Sequence, residues 1–210
     1  IINNQASQNE FHSDRQTKPV VGPAPHKMTN GNTELKFHEC AVEFRHTNQE
    51  QSHVLLNIIE VYQDVMFGKG HMERCPRTTV ENPGEYLQFG MNFLKVWIHY
   101  QAASHDFLPP GFDAKYEKYE MIIDHGNVTI EALYYPGIVR ALDTLSQLVT
   151  KDKTKDKIFV IKYAPITIED SPSYPYRGLM LDTSREFFFP DTIKQLIDGM
   201  MLARLNVLHW

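Results

Sequence analysis

The sequence predicts an α+β domain, in which two helices cover one face of a mainly antiparallel sheet, followed by a strand–helix–strand unit. Two observations carry this prediction. From about residue 21 to residue 168, strand-like and helix-like patterns alternate, with a hairpin in the middle. After residue 169, an amphipathic helix separates two apolar strands that lack polar alternation, which is typical of a buried parallel pair.

Composition argues against two classes of function. The 210 residues are enough for one or two domains, and 42% hydrophobic and 22% charged residues are ordinary values for a globular protein. The net charge is -5 with both signs scattered, whereas a nucleic-acid-binding protein would show a basic stripe. No apolar run reaches the length of a membrane span. We therefore expect neither a nucleic-acid partner nor a membrane span.

The N-terminal residues 1–20 are polar and lack periodicity, so we predict a flexible tail there. The chain begins at Ile1 rather than at a methionine, and no signal-peptide pattern is readable at this end. We therefore interpret the chain as a processed product or a fragment of a longer protein.

The first half of the α+β domain has three predicted strands and one predicted helix. The strands cover residues 33–37, 40–46 and 91–100. The helix covers residues 52–68, with Ser52 as a possible cap and Gly68 after its end. Its apolar positions recur at helical spacing and are Val54, Leu55, Ile58, Ile59, Tyr62, Val65 and Met66.

The second half begins with a predicted hairpin over residues 118–133, in which "DHGN" joins two apolar runs. A helix follows over residues 135–150, with Pro136 in its first turn. The mixed charges of residues 151–157 indicate a solvated loop, and residues 158–163 form the last strand. The predicted buried stripe of the helix consists of Ile138, Val139, Leu142, Leu145 and Val149.

The strand–helix–strand unit is predicted to have strands over residues 177–182 and 205–210 and a helix over 190–204. Such a connection is right-handed and its strands are parallel. Asp191 and Asp198 leave one helix face polar. The residues predicted to point inward are Ile193, Leu196, Ile197, Met200 and Met201.

Two arginines bracket the first strand of this unit. Functional groups of parallel α/β folds lie at the carboxyl ends of the strands, so Arg177, which enters the strand, lies at the structural end. Arg185 leaves the strand, and its planar donor fork suits vicinal hydroxyls or a carboxylate. The residues alone favour the alternative, which is a surface ion pair of Arg185 with Glu186 or Asp182.

Other candidate groups are weaker. The ten histidines lack ligand spacing and no Cys-x-x-Cys or phosphate loop is present, so we expect no metal and no cofactor. Glu169 and Asp170 lie in a Pro-flanked segment and are predicted to be solvated rather than catalytic.

Cys40 and Cys75 are equally compatible with a disulfide and with two thiols. Asn127 begins an N-x-T glycosylation pattern.

Three segments resemble the β-N-acetylhexosaminidases of glycoside hydrolase family 20. Residues 176–210 resemble the first βαβ unit of the family's catalytic barrel. Residues 128–149 resemble part of its N-terminal domain, and residues 168–178 resemble the linker into the barrel. The order and spacing of these segments agree with the family pattern, and residues 21 to 125 fit it more loosely.

The resemblance implies an α+β domain over residues 21–168 and the truncated start of a (β/α)8 TIM barrel over residues 169–210. It implies an enzyme that removes terminal non-reducing N-acetylglucosamine or N-acetylgalactosamine from glycans and glycoconjugates. The mechanism is retaining and substrate-assisted, because the acetamido carbonyl of the sugar attacks the anomeric carbon. An adjacent Asp–Glu pair assists and is expected beyond the chain end. We therefore expect no catalytic residue in this chain and no activity from it alone.

The family's D-x-S-R motif falls on Asp182 to Arg185. By resemblance, Arg185 holds the 3- and 4-hydroxyls of the terminal sugar, which reverses the preference for a surface ion pair, and Asp182 gives structural support. Glu186 stands where the family usually has histidine. The alternative function is therefore a non-catalytic relative that binds glycans or supports a partner subunit. The resemblance also implies a lysosomal or secreted protein and a possible homo- or heterodimer.

Overall fold

The computed structural model describes residues 18–47, 53–75, 93–100 and 113–210. Nearly all of the predicted tail, the proposed cap Ser52 and the first two residues of the strand predicted over 91–100 lie outside the described residues. No helix among the described residues is both long and apolar enough to cross a membrane.

The described residues form nine strands, four α-helices and a short 3-10 helix (Ala114–Tyr116). The strands are β1 (Lys27–His38), β2 (Val42–His46), β3 (Leu94–Tyr100), β4 (Tyr119–Asp124), β5 (Asn127–Ala132), β6 (Val149–Lys151), β7 (Ile158–Asp170), β8 (Gly178–Met180) and β9 (Val207–His209). The helices are α1 (His53–Phe67), α2 (His71–Arg74), α3 (Tyr135–Leu148) and α4 (Pro190–Leu202).

Seven strands form one mixed sheet in the order β1-β7-β4-β5-β3-β2, with β6 also paired to β7. The ladders that involve β7 and the β4–β5 ladder are antiparallel, as predicted. The β5–β3 and β3–β2 ladders are parallel, which the expectation of a mainly antiparallel sheet did not include. The β2–β3 pair is parallel because α1 lies between these strands in the chain, and a helical crossover returns the chain in the same direction.

The predicted hairpin is confirmed, with β4 and β5 paired from Tyr119–Ala132 to Asp124–Asn127. His125 and Gly126 join them with φ values of 44° and 79°. A two-residue type I′ turn needs positive φ at both positions, and its twist matches that of the strands it joins.

The core lies between the sheet and α1 and α3, which pack against each other on one face. Alternate residues of β3, β4 and β5 are buried there, so the opposite sheet face is open to solvent. In α1, Val65 is one of the apolar positions that recur at helical spacing, but it is 51% exposed, because the buried face centres on Leu55, Ile59 and Met66. Val149 is buried in β6 rather than in the helix.

Strand β7 continues to Asp170, so Glu169 and Asp170 end a strand instead of lying in a linker. Asp170 is only 8% exposed, and the prediction that it is solvated is wrong. Its burial is possible because a guanidinium group neutralises it, as a buried carboxylate requires. Glu169 is partly exposed and pairs with Lys118.

The strand–helix–strand unit is confirmed, since β8 and β9 are paired in parallel with α4 between them. Ile193 and Met200 of α4 are buried as predicted. Ile197 is 48% exposed and Met201 is 37% exposed, so their predicted inward orientation is wrong. The strands were predicted to be buried on both faces, but Met180 is 68% exposed. A sheet of two strands gives one helix too little surface to cover its full apolar stripe.

Candidate functional site

The candidate site lies in the loop that follows β8, at the carboxyl end of the parallel pair. Leu181 donates its N–H to the His209 carbonyl at 2.8 Å, which extends the pairing to the start of the loop. Residues 182–185, here called the DTSR loop, come next. Functional side chains are commonly found at the carboxyl ends of parallel strands, where the chain leaves the sheet.

Asp182 holds the DTSR loop with both carboxylate oxygens. Its Oδ1 accepts from the Ser184 N–H at 3.0 Å, and its Oδ2 accepts from Arg185 Nε at 3.0 Å. The Arg185 side chain is 88% exposed, so its outer amino groups face solvent. Among the described residues, Asp182 and not Glu186 is the carboxylate paired with Arg185.

One aromatic side chain contacts this loop and two more exposed ones follow it in the chain. Trp210 donates from Nε1 to Thr183 Oγ1 at 3.0 Å and is 67% exposed. Phe187 and Phe189 meet edge to face with 5.1 Å between ring centroids, and both are largely exposed. Nearby, an open groove of about 490 Å³ runs between β8 and α4 and includes Leu179. Exposed aromatic faces beside polar donors are suited to binding sugar rings.

A second charged cluster lies at the opposite end of the parallel strands. Arg177 donates from Nη2 to Glu117 Oε2 at 2.6 Å, and Arg140 donates from Nε to the same oxygen at 2.6 Å. Burial raises the pKa of Glu117, but the hydrogen bonds and charges of the two arginines outweigh it and leave this pKa lowered. Arg177 is therefore structural, as its position predicted.

Arg204 extends this cluster into the α+β domain. Its guanidinium donates to Asp143 Oδ2 at 2.9 Å, to Asp170 Oδ2 at 3.2 Å and to Thr144 Oγ1 at 2.7 Å. Tyr119 shares a 2.6 Å hydrogen bond with Thr144, and burial raises the pKa of Tyr119 to about 12. These groups satisfy one another's hydrogen bonds, which marks the cluster as an interface between elements.

Sequence reasoning missed Glu117, Arg204 and Trp210. The available signal was an arginine in the apolar segment "MMLARLNVLHW", where a charge is costly without a partner. The partners of Arg204 are 34 to 61 residues away in the chain, so no local pattern identifies them.

The remaining predicted residues lie apart from the DTSR loop. Cys40 and Cys75 form a disulfide, which decides between the two alternatives. Glu39 lies beside them, but disulfide sulfurs are not the thiolates that bind metals. Asn127 is exposed at the start of β5, and Thr129 lies on the same open face of the sheet. Its glycosylation stays a prediction.

Comparisons with known proteins identify the family. A family model described as "beta-acetyl hexosaminidase like" matches residues 21–148, which is more than half of the chain. The model of the "Glycosyl hydrolase family 20, catalytic domain" matches residues 174–210.

Similar curated proteins carry related names. Beta-hexosaminidase 1 of Arabidopsis thaliana is 31% identical over 94% of this chain and 36% of its own length. The chitooligosaccharidolytic beta-N-acetylglucosaminidase of Bombyx mori is 32% identical over 64% of this chain and 30% of its own length. The chain thus spans about a third of the length of the curated relatives it matches.

Solved structures agree on the fold. The GH20 exo beta-N-acetylglucosaminidase from Vibrio harveyi superimposes with a TM-score of 0.59, covering 92% of this chain and 25% of that one at 22% identity. With the match over residues 21–148, the chain belongs to the β-acetyl hexosaminidase-like family of glycosyl hydrolase family 20 proteins.

Proposed function

We propose that this chain supplies the α+β domain and the first βαβ unit of the (β/α)8 TIM barrel of a β-N-acetylhexosaminidase. The enzyme removes terminal non-reducing N-acetylglucosamine or N-acetylgalactosamine from glycans and glycoconjugates. The observation that carries the proposal is the DTSR loop at the carboxyl end of β8, with Arg185 exposed and oriented by Asp182. The end of β7 at Asp170 supports a boundary between the two domains close to the predicted residue 168.

Arg185 is the proposed sugar-binding residue. Asp182 occupies Nε and fixes the plane of the guanidinium, which leaves the two outer amino groups for the 3- and 4-hydroxyls of the terminal sugar. A planar fork with two parallel donors matches the spacing of vicinal hydroxyls, and prior orientation lowers the entropy cost of binding. Because Asp182 is the carboxylate that forms the ion pair with Arg185, Glu186 does not compete for the Arg185 guanidinium.

The chemical step is proposed for residues outside these 210. In the substrate-assisted scheme the sugar's acetamido oxygen forms a bond to the anomeric carbon while an acid protonates the leaving oxygen. The adjacent acidic residues of this sequence, Glu169 and Asp170, are paired with Lys118 and Arg204 at the end of β7, which does not suit them to orient the acetamido group and donate this proton. The chain's own contribution is therefore binding and orientation.

The disulfide between Cys40 and Cys75 supports a protein that matures in an oxidising compartment, hence a lysosomal or secreted one. The glycosylation pattern at Asn127 is exposed and fits the same route. Two Dictyostelium discoideum relatives are named beta-hexosaminidase subunits B1 and B2, which supports a homo- or heterodimer.

Turnover of a chromogenic N-acetylglucosaminide by the protein of the complete reading frame tests this function. We expect Arg185→Ala to raise KM and lower kcat, by roughly 100-fold in kcat/KM, because its contacts to the terminal sugar form in the ground state and strengthen in the transition state. The matched control is Arg45→Ala, an arginine partly exposed on β2 and remote from the loop. Sugar binding without any turnover would favour the non-catalytic alternative, and unchanged kinetics of Arg185→Ala would remove that residue from the site.

A further inference from the structure

The interface between the α+β domain and the β8–α4–β9 unit is polar. The buried apolar cluster contains residues from Val21 to Ile168, and within the described part of the chain no residue of the β8–α4–β9 unit belongs to it. A cavity of about 270 Å³ lies between the two, lined by residues of both, including His26, Tyr174 and Arg204. Hydrogen bonds between charged groups are directional whereas apolar contacts are not, so such an interface can fix an orientation.

Arg204 contacts the α+β domain through both its side chain and its backbone. Its side chain is 9% exposed and pairs with Asp143 and Asp170. Its φ of 54° is in the left-handed region, which a residue other than glycine keeps only when its surroundings determine it. This conformation directs the Arg204 carbonyl to Arg177 Nε at 2.8 Å and to Arg140 Nη2 at 3.4 Å.

Asn206 continues the same contact two residues later. Its Oδ1 accepts from the Arg177 N–H at 2.9 Å, and its Nδ2 donates to Glu117 Oε1 at 3.2 Å and to the Pro175 carbonyl at 2.9 Å. Arg204 and Asn206 thereby hold the beginning of β9 beside the beginning of β8, and hold both against the α+β domain.

At the far end of β9, His209 contacts Leu181 just before the DTSR loop, and Trp210 contacts the loop itself. The Leu181 N–H donates to the His209 carbonyl, and Trp210 donates to Thr183. Strand β9 is only three residues long, so we expect a displacement at Asn206 to reach Trp210.

We propose that Arg204 and Asn206 are positioning residues that set where the DTSR loop lies relative to the α+β domain. Neither residue touches the loop, and both act through β9. The consequence for sugar binding rests on the proposed function, in which Arg185 contacts the terminal sugar. The position of the loop can be measured without any sugar.

Fluorine NMR of the chain labelled with fluorotryptophan tests the proposal, because the chain has two tryptophans, Trp97 and Trp210. Trp210 reports on the loop, and Trp97, in β3 of the mixed sheet, reports on the α+β domain. In Arg204→Met we expect the Trp210 signal to shift or broaden while the Trp97 signal keeps its position. An unchanged Trp210 signal would overturn the proposal.

Two further variants complete the test. Lys194→Met removes a charge from the exposed side of α4, where Lys194 pairs with Asp191, and should move neither signal. Asn206→Ala is a milder change that should move the Trp210 signal alone. If Arg204→Met loses both signals by unfolding, Asn206→Ala decides: a shift of Trp210 alone supports the proposal and no shift overturns it.

Kinetic measurements on the complete enzyme distinguish a failure of this inference from a failure of the proposed function. We expect Arg204→Met to lower kcat/KM on the order of 100-fold, the loss typical of a misplacement of about 1 Å, and Lys194→Met to be neutral. If Arg185→Ala is active while Arg204→Met moves the Trp210 signal, the sugar-binding assignment fails and the positioning role stands. If Arg185→Ala is inactive while the Trp210 signal of Arg204→Met is unmoved, the positioning role fails.

Discussion

Glu117 is a carboxylate held between two arginines, with 9% of its side chain exposed. Glu117→Gln keeps the size of the side chain and leaves the guanidinium groups of Arg140 and Arg177 without their carboxylate. Removing one partner of a buried ion pair costs about 3–5 kcal/mol because the other charge stays shielded from water. We expect the free energy of unfolding to fall by roughly 3 kcal/mol in urea denaturation.

The control is Glu43→Gln, another glutamate paired with an arginine, Arg45, but 29% exposed on edge strand β2. Pairs open to solvent contribute about 0–1 kcal/mol, so this variant should lose less than about 1 kcal/mol. Equal losses in the two variants would mean that burial does not distinguish these pairs.

For single residues, the sequence predicts the role of those whose role depends on their position within one element. Asp182 and Arg185 could be singled out because a motif at the end of one strand contains both, and Arg177 because it enters that strand. The solvation of Asp170 was predicted wrongly because its partner, Arg204, is 34 residues away. A charged residue is buried or solvated according to contacts that only the fold brings together.

Among the elements, β8 and β9 are the least enclosed strands. No residue of β8 or β9 is fully buried and Met180 is 68% exposed, while Met121 and Ile130 in β4 and β5 are fully buried. Amide exchange follows local opening, which is easiest where few apolar contacts must break. We therefore expect amides of β8 and β9 to exchange with deuterium faster than those of the β4–β5 hairpin in the 210-residue chain.

Mass spectrometry of peptides that cover residues 178–181 and 207–210 measures this difference, with peptides of the hairpin as the internal reference. Strong protection of "LNVLHW", equal to that of the hairpin, in a monomer would contradict it. The expectation is compatible with the contacts of Arg204 and Asn206, which fix the beginnings of these strands, because the far ends are held only by the bonds from Leu181 to His209 and from Trp210 to Thr183 among the described residues.

The elements predicted correctly are those encoded locally. The β4–β5 hairpin follows from a turn sequence with two residues at positive φ, and α3 follows from its apolar spacing. The parallel pairing of β3 with β2 and β5 was not predicted, because neighbours in a sheet are chosen by the path of the whole chain. The apolar stripe of α4 was predicted from periodicity alone, which gives no account of how much surface is available to cover it.

For the whole molecule, the ion pairs of Glu117 between the α+β domain and the β8–α4–β9 unit make the free energy of unfolding depend on pH. The pKa of Glu117 in the folded protein lies below its ordinary value of 4.5. Between these two values the unfolded chain binds a proton that the folded protein does not bind. The stability contributed by Glu117 is therefore fully present above about pH 4.5 and is lost as the pH falls through the lowered pKa.

Glu117→Gln removes this proton uptake and leaves the other acidic groups in place. Asp113, Asp152 and Asp156 also have lowered pKa values, but they are common to both proteins and their effects cancel in the difference. We expect the gap in the free energy of unfolding between wild type and Glu117→Gln to be constant near neutral pH and to shrink on acidification below pH 4.5. Urea titrations at a series of pH values measure the gap. A gap that stays constant well below pH 4.5 would show that Glu117 is not the carboxylate whose charge joins the β8–α4–β9 unit to the α+β domain.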